Sequence, residues 1–219
     1  MDNKENLYQF IAIEGNIGAG KTSLATLIAE ERNAKLILEE FEDNSFLPKF
    51  YKDPDRFAFP LELSFLAERY QQLKDSLGAK DLFKNFTIAD YFINKSLIFS
   101  RKTLQSDEFR LYNTLFEIIN QSLIKPDLLV YLYANVGNLQ SNIRKRGREY
   151  EQEIEDNYLE KIQESYFEFI KQQTNLRILI IDTNNLDFVN NKDDYRYISD
   201  LIFRDYEIGI HRIKARDEE

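Results

Sequence analysis

The sequence predicts an α/β protein with a parallel β-sheet that is covered by helices on both faces. Apolar runs of strand length alternate with segments of helical periodicity along the chain. A strand, a helix and a second strand in that order form a crossover that pairs the two strands in parallel. The predicted strands, five in all, are residues 8–15, 34–40, 86–92, 127–134 and 176–182.

The predicted helices have recognisable ends. The first, residues 21–32, follows the first strand directly. The longest has Asp53 at its N-cap and Pro54 in its first turn, continues through Pro60, where we expect a kink, and ends at Gly78. The other helices are predicted near residues 93–104, 107–124, 136–147, 155–173 and 193–206.

Length and composition favour one domain in a reducing compartment. The chain of 219 residues can form one sizeable core, so we expect a single domain over residues 1–219. Its N-terminus, MDNKENLYQF, is polar and unlike a signal peptide, and no apolar run is long enough to span a bilayer. There is no cysteine for a disulfide framework. We therefore expect a cytoplasmic protein.

The charge balance limits what the chain can bind. A net charge of -9 disfavours non-specific binding to nucleic acid or membranes, which requires a cationic surface. The one histidine, His211, lies in a charged C-terminal tail at residues 207–219, which argues against histidine-ligated metals and histidine-based catalysis. A general base would have to be a carboxylate. The expected partners are small molecules or other proteins.

A glycine-rich turn joins the first strand to the first helix. Its sequence, GNIGAGKT at residues 15–22, matches the phosphate-binding pattern G-x-x-x-x-G-K-[ST]. Glycine lets the backbone N–H groups curl around phosphate oxygens, and the positive end of the next helix points at the same phosphates. Chance produces this pattern in about one such chain in a hundred, but here it also lies between a buried strand and a helix. We expect a P-loop NTPase-type three-layer fold.

The loop predicts that the protein binds a nucleoside triphosphate and Mg²⁺. Lys21 would reach the β- and γ-phosphates, and Thr22 would place its hydroxyl on the metal ion. The predicted nucleotide-binding residues of the loop are Gly15, Asn16, Ile17, Gly18, Ala19, Gly20, Lys21, Thr22 and Ser23.

Two reaction classes fit such a loop: phosphorylation of a small acceptor, or nucleotide hydrolysis by a GTPase or ATPase switch. A GTPase would carry an N-K-x-D-like segment where this chain reads LYANVGNL. A switch ATPase often has an apolar run ending in Asp-Glu, and the nearest equivalent is TIADYF. Small-molecule kinases instead close an arginine cluster over the phosphates. The segment NIRKRGRE supplies Arg144, Arg146 and Arg148, so we expect a helical lid at residues 144–153.

Over nearly its whole length the chain resembles the deoxynucleoside kinases, especially their bacterial deoxyadenosine/deoxyguanosine kinase branch. The matching segments are IEGNIGAGKTS, EEFEDNSFLPKFYKDPDRFAFPLELSFLAERYQQL and RKRGREYE. The resemblance implies a fold of the thymidylate-kinase branch with a five-stranded parallel sheet, and a homodimer formed through helices. It also implies a nucleotide-salvage enzyme that transfers the γ-phosphoryl group of ATP to the 5′-hydroxyl of a deoxynucleoside, expected here to be a purine one.

The resemblance also implies roles for individual residues. Glu39 matches the family's catalytic base, and its neighbour Glu40 is the alternative if the register is shifted by one. Tyr51 and Glu151 match residues that hold the sugar 3′-hydroxyl. Asp90 matches the acid that serves Mg²⁺ through water.

Further roles follow for the cations of the loop and the lid. Lys21, Arg146 and Arg148 are expected to act on the transferred phosphoryl group, and Arg144 is expected to bind the nucleotide.

The chain departs from the family pattern at two positions. Where the family has an arginine after the acid, this chain has Tyr91, which we place in the substrate site. Arg69 is a candidate replacement for that arginine, or else a surface residue. Where the family commonly has a glutamine that contacts the base, this chain has Glu62.

Glu62 leads to a substrate prediction, although a helical glutamate more often faces solvent. An ionised carboxylate only accepts hydrogen bonds. Guanine presents two adjacent donors, whereas adenine would place an unprotonated ring nitrogen against the carboxylate. We therefore expect deoxyguanosine to be a better substrate than deoxyadenosine or thymidine at neutral pH.

Two other functions stay open. A nucleoside monophosphate kinase of the thymidylate type would need further arginines for the phosphate of its acceptor, and the acceptor side here is acidic and aromatic instead. The missing arginine could also mark a degenerate nucleotide-binding protein that no longer turns over.

Overall fold

The protein is described by a computed structural model over residues 7–40, 44–79 and 81–214, without the side chains of Tyr51 and Tyr150. Six strands form one sheet in which every neighbouring pair is parallel. The strands are β1 (Phe10–Gly15), β2 (Lys35–Ile37), β3 (Thr87–Ala89), β4 (Leu128–Tyr133), β5 (Arg177–Asp182) and β6 (Gly209–Ile213). Their order across the sheet is β2-β3-β1-β4-β5-β6. The predicted fold class is confirmed.

The prediction of five strands was short by one. β6 lies within residues 207–219, which we had assigned to a charged tail, and pairs in parallel with the edge of β5 from Gly209 opposite Arg177. An edge strand can keep charged side chains on its solvent face. Because His211 and Arg212 interrupt the apolar pattern of this strand, apolar runs did not predict it.

The described part of the chain also contains eight α-helices. The longest begins at Pro54 after Asp53 and ends at Gly78, as predicted, with Pro60 in its interior. A six-residue helix that was not predicted separately precedes it. The helices are α1 (Lys21–Arg32), α2 (Leu47–Lys52), α3 (Pro54–Gly78), α4 (Asn94–Thr103), α5 (Ser106–Asn120), α6 (Val136–Arg146), α7 (Asp156–Gln172) and α8 (Lys192–Ile202).

The core consists of two apolar clusters, one on each face of the sheet. Alternate residues of β1 point to opposite faces, so that Ile11 and Ile13 join one cluster and Phe10 and Ala12 join the other. Helices α1, α6 and α8 contribute to the first cluster. Helices α3, α4 and α5 and most of α7 contribute to the second. These two clusters produce the expected three layers.

The strand order brings the carboxyl ends of β1, β2 and β3 together at one edge of the sheet. Ligands of open parallel sheets bind at that edge. The glycine-rich turn follows β1, Glu39 follows β2, and Asp90 follows β3. Over the described ranges, no helix is both long enough and apolar enough to cross a membrane.

Candidate active site

The turn after β1 requires glycine at two positions. Gly18 and Gly20 adopt left-handed backbone conformations with φ of 83° and 85°. A Cβ atom at Gly18 would lie 2.7 Å from the carbonyl oxygen of Leu139, and one at Gly20 would lie 2.6 Å from the ring of Phe188. Both the conformation and the close packing therefore exclude a side chain.

Two asparagine side chains fix the same turn. The Asn16 amide donates to the carbonyl oxygen of Leu159 at 2.7 Å, and Asn16 Oδ1 accepts from the Ile17 N–H at 2.9 Å. The Asn142 amide donates to the carbonyl oxygen of Gly18 at 2.9 Å. The phosphate-binding turn is thus anchored to α6 and α7.

Lys21 lies in the mouth of the turn. Its ammonium group donates to the carbonyl oxygens of Gly15 and Asn16 at 3.0 and 2.9 Å. Burial, and then repulsion by the charge of Lys95, lower the pKa of Lys21 to about 8. The group is held where the pattern predicts phosphates to bind, and its charge is incompletely neutralised.

Thr22 and Asp90 connect the turn to the next strand end. The Thr22 hydroxyl donates to Asp90 Oδ2 at 2.5 Å, and Asp90 Oδ1 accepts from the backbone N–H of Glu39 at 2.8 Å. Asp90 is buried, whereas Ser23 is exposed. A hydrogen-bonded chain thus runs from the phosphate-binding turn to Glu39.

A hydroxyl and a carboxylate are hard oxygen donors, which suit Mg²⁺. Thr22 and Asp90 bring two such donors together, 2.5 Å apart, so the residues present fit an ion that takes its other ligands from nucleotide phosphates and water, as Mg²⁺ commonly does. No group of three or more His, Cys, Asp or Glu side chains that could hold a metal occurs among the residues that the structure describes.

Glu39 is clamped by two cations. Arg69 Nε and Nη2 each lie 2.8 Å from Oε1, and Lys95 Nζ contacts Oε2. Burial alone would raise the pKa of Glu39, but the charges of Lys95 and Arg69 outweigh it and lower the pKa to about 2. Glu40, by contrast, is exposed. The geometry favours Glu39 over Glu40 as the acid at this strand end.

Arg69 is a buried residue, so its alternative interpretation as a surface residue was wrong. Its remaining nitrogen, Nη1, donates to Ser96 Oγ at 2.7 Å. Lys95 and Ser96 were not predicted, although a lysine in the first turn of a helix was a usable signal. Such a cation opposes the helix dipole and calls for a specific partner.

Tyr91 does not line the site. Its side chain is fully buried in the core, and its hydroxyl donates to Gln72 Oε1 at 2.5 Å. The assignment of Tyr91 to the substrate site is therefore not supported, because the position after Asp90 packs under α3. Tyr51 lies in α2, but its side chain falls outside the described part of the structure.

Glu62 points inward from α3 and is buried. Its Oε1 accepts a hydrogen bond of 2.8 Å from the hydroxyl of Thr103, at the end of α4. Burial raises the pKa of Glu62 to about 7, against the opposing effects of Thr103, Arg69 and Lys95. The solvent-facing alternative is excluded. Thr103 was not predicted, since only the fold brings it to Glu62.

The predicted lid contains the end of α6, Gly147 and a short 3₁₀ helix at Glu149–Glu151. The buried Glu151 carboxylate contacts Arg146 and lies 3.5 Å from Arg148 Nη1. Arg144 is exposed in the last turn of α6. The structure thus brings three of the predicted lid residues together as an ion-pair cluster.

Comparisons with known proteins show which proteins this chain is similar to. The sequence profile of the deoxynucleoside kinase family matches residues 11–206. Deoxyguanosine kinase of Bacillus subtilis is 39% identical over 198 residues, which are 89% of this chain and 96% of that protein. Deoxyadenosine/deoxycytidine kinase of the same organism is 29% identical, over 88% of this chain and 90% of the relative.

Solved structures show the same similarity. Deoxyadenosine kinase from M. mycoides with bound dATP superposes with a TM-score of 0.75 at 25% identity, covering 88% of this chain and 98% of that one. The same enzyme with bound dCTP gives a TM-score of 0.74 at 26% identity, covering 88% and 97%.

Proposed function

Because the chain belongs to the deoxynucleoside kinase family, we propose that it transfers the γ-phosphoryl group of ATP to the 5′-hydroxyl of a purine deoxynucleoside, with deoxyguanosine preferred. As a member of this family it is an ATP-dependent phosphotransferase. The finer proposal concerns the acceptor and the residues that serve it.

One observation carries the proposal: Glu39 is tied to the phosphate-binding turn through Asp90. The Thr22 hydroxyl donates to Asp90 at 2.5 Å and the backbone N–H of Glu39 donates to Asp90 at 2.8 Å, which supports a role for Glu39 beside the phosphate site. Phosphoryl transfer requires an acceptor hydroxyl to be oriented in line with the transferred group. We assign that task to the ion-paired carboxylate of Glu39.

The transfer step follows from these positions. The 5′-oxygen of the acceptor forms a bond to the γ-phosphorus as the bond from that phosphorus to the β,γ-bridging oxygen of ATP breaks, and ADP leaves. Glu39 takes the hydroxyl proton. The Lys21 ammonium and the N–H groups of the turn stabilise the negative charge that shifts toward ADP. Thr22 and Asp90 would hold Mg²⁺, which supplies further positive charge at the phosphates.

The sugar and the lid complete the proposed site. Tyr51 and Glu151 would hold the 3′-hydroxyl. Arg146 and Arg148 would act on the transferred group, which requires them to exchange part of their contact with Glu151 for phosphate oxygens. Arg144, exposed nearby, would contact the nucleotide.

Glu62 supports deoxyguanosine as the preferred acceptor. It is buried on the same helix as Arg69, which contacts Glu39, so α3 links the proposed base site to the proposed 5′-hydroxyl site. An ionised Glu62 can accept both donors of guanine. The relative that is 39% identical is a deoxyguanosine kinase, and relatives at 29% identity include both a deoxyadenosine kinase and a deoxyguanosine kinase.

We also propose that the protein is a cytoplasmic homodimer. Leu111 and Ile118 are 54% and 65% exposed on α5. They are seven residues apart and so lie on one face of the helix. Light scattering in solution should give twice the monomer mass of 26.1 kDa, and Leu111→Asp with Ile118→Asp should shift it to the monomer.

An assay with ATP labelled in its γ-phosphate tests the proposed function against its alternatives. Each of the four deoxynucleosides and dTMP is offered separately. Label should appear in the 5′-monophosphates, most rapidly in that of deoxyguanosine. Rapid labelling of dTMP would indicate a monophosphate kinase. Binding of ATP with no labelled product would indicate a degenerate nucleotide-binding protein.

A further inference from the structure

The two oxygens of the Glu39 carboxylate have separate partners. Both Arg69 contacts are made to Oε1, whereas Lys95 contacts Oε2. Rotation about the Cγ–Cδ bond of Glu39 moves both oxygens, so each cation restrains it. Because Arg69 lies on α3 and Lys95 on α4, the carboxylate is held from two helices.

Lys95 occupies a position that is unfavourable without a partner. It lies in the first turn of α4, whose positive end repels an ammonium group. Its side chain is only 12% exposed, and lysine is almost never buried unless it is paired. Glu39 supplies the opposite charge that this lysine requires.

The residues between Asp90 and Lys95 cannot supply the cation that contacts Oε2 of Glu39. Tyr91 is buried in the core, and the backbone N–H of Phe92 donates to the buried Glu14 at 2.7 Å. The chain turns back toward Glu39 only at the start of α4, where Lys95 reaches Glu39 and Ser96 reaches Arg69.

Lys95 is also connected to the phosphate-binding turn. It contacts Glu39, whose backbone N–H donates to Asp90, and Asp90 accepts from the Thr22 hydroxyl. After burial, repulsion by the charge of Lys95 is the largest influence that lowers the pKa of Lys21. The charged and titratable groups around Glu39 come from several elements: Glu14, Lys21, Arg69, Asp90, Tyr91, Lys95 and Tyr166.

We propose that Lys95 is the positioning residue for Glu39, and that it holds Oε2 so that the carboxylate faces the acceptor 5′-hydroxyl. The inference rests on the proposed function. It assigns to α4 the cation that is absent from the position directly after Asp90, where this chain has Tyr91.

A double-mutant cycle tests this role. The variants are Lys95→Met, Glu39→Gln and the two combined, with Lys95→Arg as the charge-conserving substitution. Lys102→Met is the matched control, because Lys102 is exposed at the other end of α4. For each protein, kcat and KM for ATP and deoxyguanosine are measured, together with the thermal unfolding midpoint.

The proposal predicts that Lys95→Met lowers kcat by about a hundredfold while both KM values change by less than about threefold. Lys95→Arg should stay within about tenfold of the wild type. In the Glu39→Gln background, Lys95→Met should cost less than about threefold, because its effect acts through Glu39. An equal loss in both backgrounds, or an arginine variant as slow as the methionine variant, would overturn the proposal.

The unfolding midpoints keep this inference distinct from the proposed function. A wild type that phosphorylates no deoxynucleoside would overturn the proposed function. The thermal cycle would then decide the Lys95–Glu39 interaction alone. Lys95→Met should lower the unfolding midpoint in the wild type, and it should leave the midpoint unchanged or raise it in the Glu39→Gln background, where Lys95 has lost its partner. An equal fall of the midpoint in both backgrounds would overturn the proposed contact.

Discussion

The hydroxyl of Thr103 donates a hydrogen bond of 2.8 Å to Oε1 of Glu62, which is buried between α3 and α4. A hydroxyl can donate to a carboxylate and to the carbonyl oxygen of a carboxylic acid alike. The contact therefore anchors Glu62 in both protonation states. Because burial raises its pKa to about 7, both states are populated near neutral pH.

The base preference should consequently depend on pH. Below about pH 7, protonated Glu62 offers one donor and one acceptor and can pair with adenine, whereas above it the carboxylate suits guanine. The ratio of kcat/KM for deoxyguanosine to that for deoxyadenosine should rise about tenfold from about pH 5.5 to about pH 8.5. Glu62→Gln should remove the rise and favour deoxyadenosine. A wild type that prefers deoxyadenosine at every pH above about 6 would contradict this account.

The free energy of unfolding should also depend on pH through Glu62. The folded protein holds the Glu62 proton more tightly than the unfolded chain does, because burial raises this pKa from 4.5 to about 7. Stability is thus highest below the unfolded pKa and falls as the pH rises through the folded one, by about 3 kcal/mol. Glu62→Gln has no such titrating group. The difference in free energy of unfolding between this variant and the wild type should therefore change by the same amount, in favour of the variant, when the pH is raised from acid to alkaline. Urea unfolding at each pH measures the difference, and Glu160→Gln, at an exposed glutamate, is the control. The same pH profile of stability in the wild type and in Glu62→Gln would contradict the prediction.

Lys21→Ala should abolish transfer and leave the fold intact. In the structure the ammonium group donates to the carbonyl oxygens of Gly15 and Asn16 in the same turn, so we expect the two core clusters to form without it. Loss of a charge that acts on the transferred group should lower kcat by about a thousandfold or more. Circular dichroism should match the wild type. Unchanged turnover would contradict the phosphate-binding role of the turn.

The lid arginines should affect catalysis through the phosphates. Arg146→Ala with Arg148→Ala should lower kcat by about a hundredfold or more, because several cations surround the transferred group in such reactions. Lys145→Ala, an exposed neighbour on α6, is the control and should remain near the wild type. Retained turnover in the double variant would contradict a catalytic role and would mean that both arginines serve as ion-pair partners of Glu151.

The features that the sequence predicted are those with local causes. The phosphate-binding turn depends on glycines that lie within a few positions of one another, and the ends of α3 are marked by Pro54 and Gly78 in the helix itself. The buried strands of the sheet are continuous apolar runs. Periodicity and turn chemistry identify such elements because the determining residues are neighbours in the chain.

The features that it missed depend on distant partners. Lys95 is 56 positions from Glu39, and Thr103 is 41 positions from Glu62, so only the folded structure reveals these pairs. The inward direction of Glu62 has the same origin. The sequence did not predict β6, because an edge strand with charged residues forms by pairing with a sheet that the rest of the chain supplies.

The central claim is that Glu39, and not its neighbour, receives the proton of the acceptor 5′-hydroxyl. The most direct test compares the turnover of Glu39→Gln and Glu40→Gln with ATP and deoxyguanosine. The buried, doubly ion-paired position of Glu39 and the exposure of Glu40 predict a loss of about a hundred- to ten-thousandfold for the first variant. The second variant should stay within about threefold of the wild type. A severe loss in Glu40→Gln with a mild one in Glu39→Gln would contradict the account.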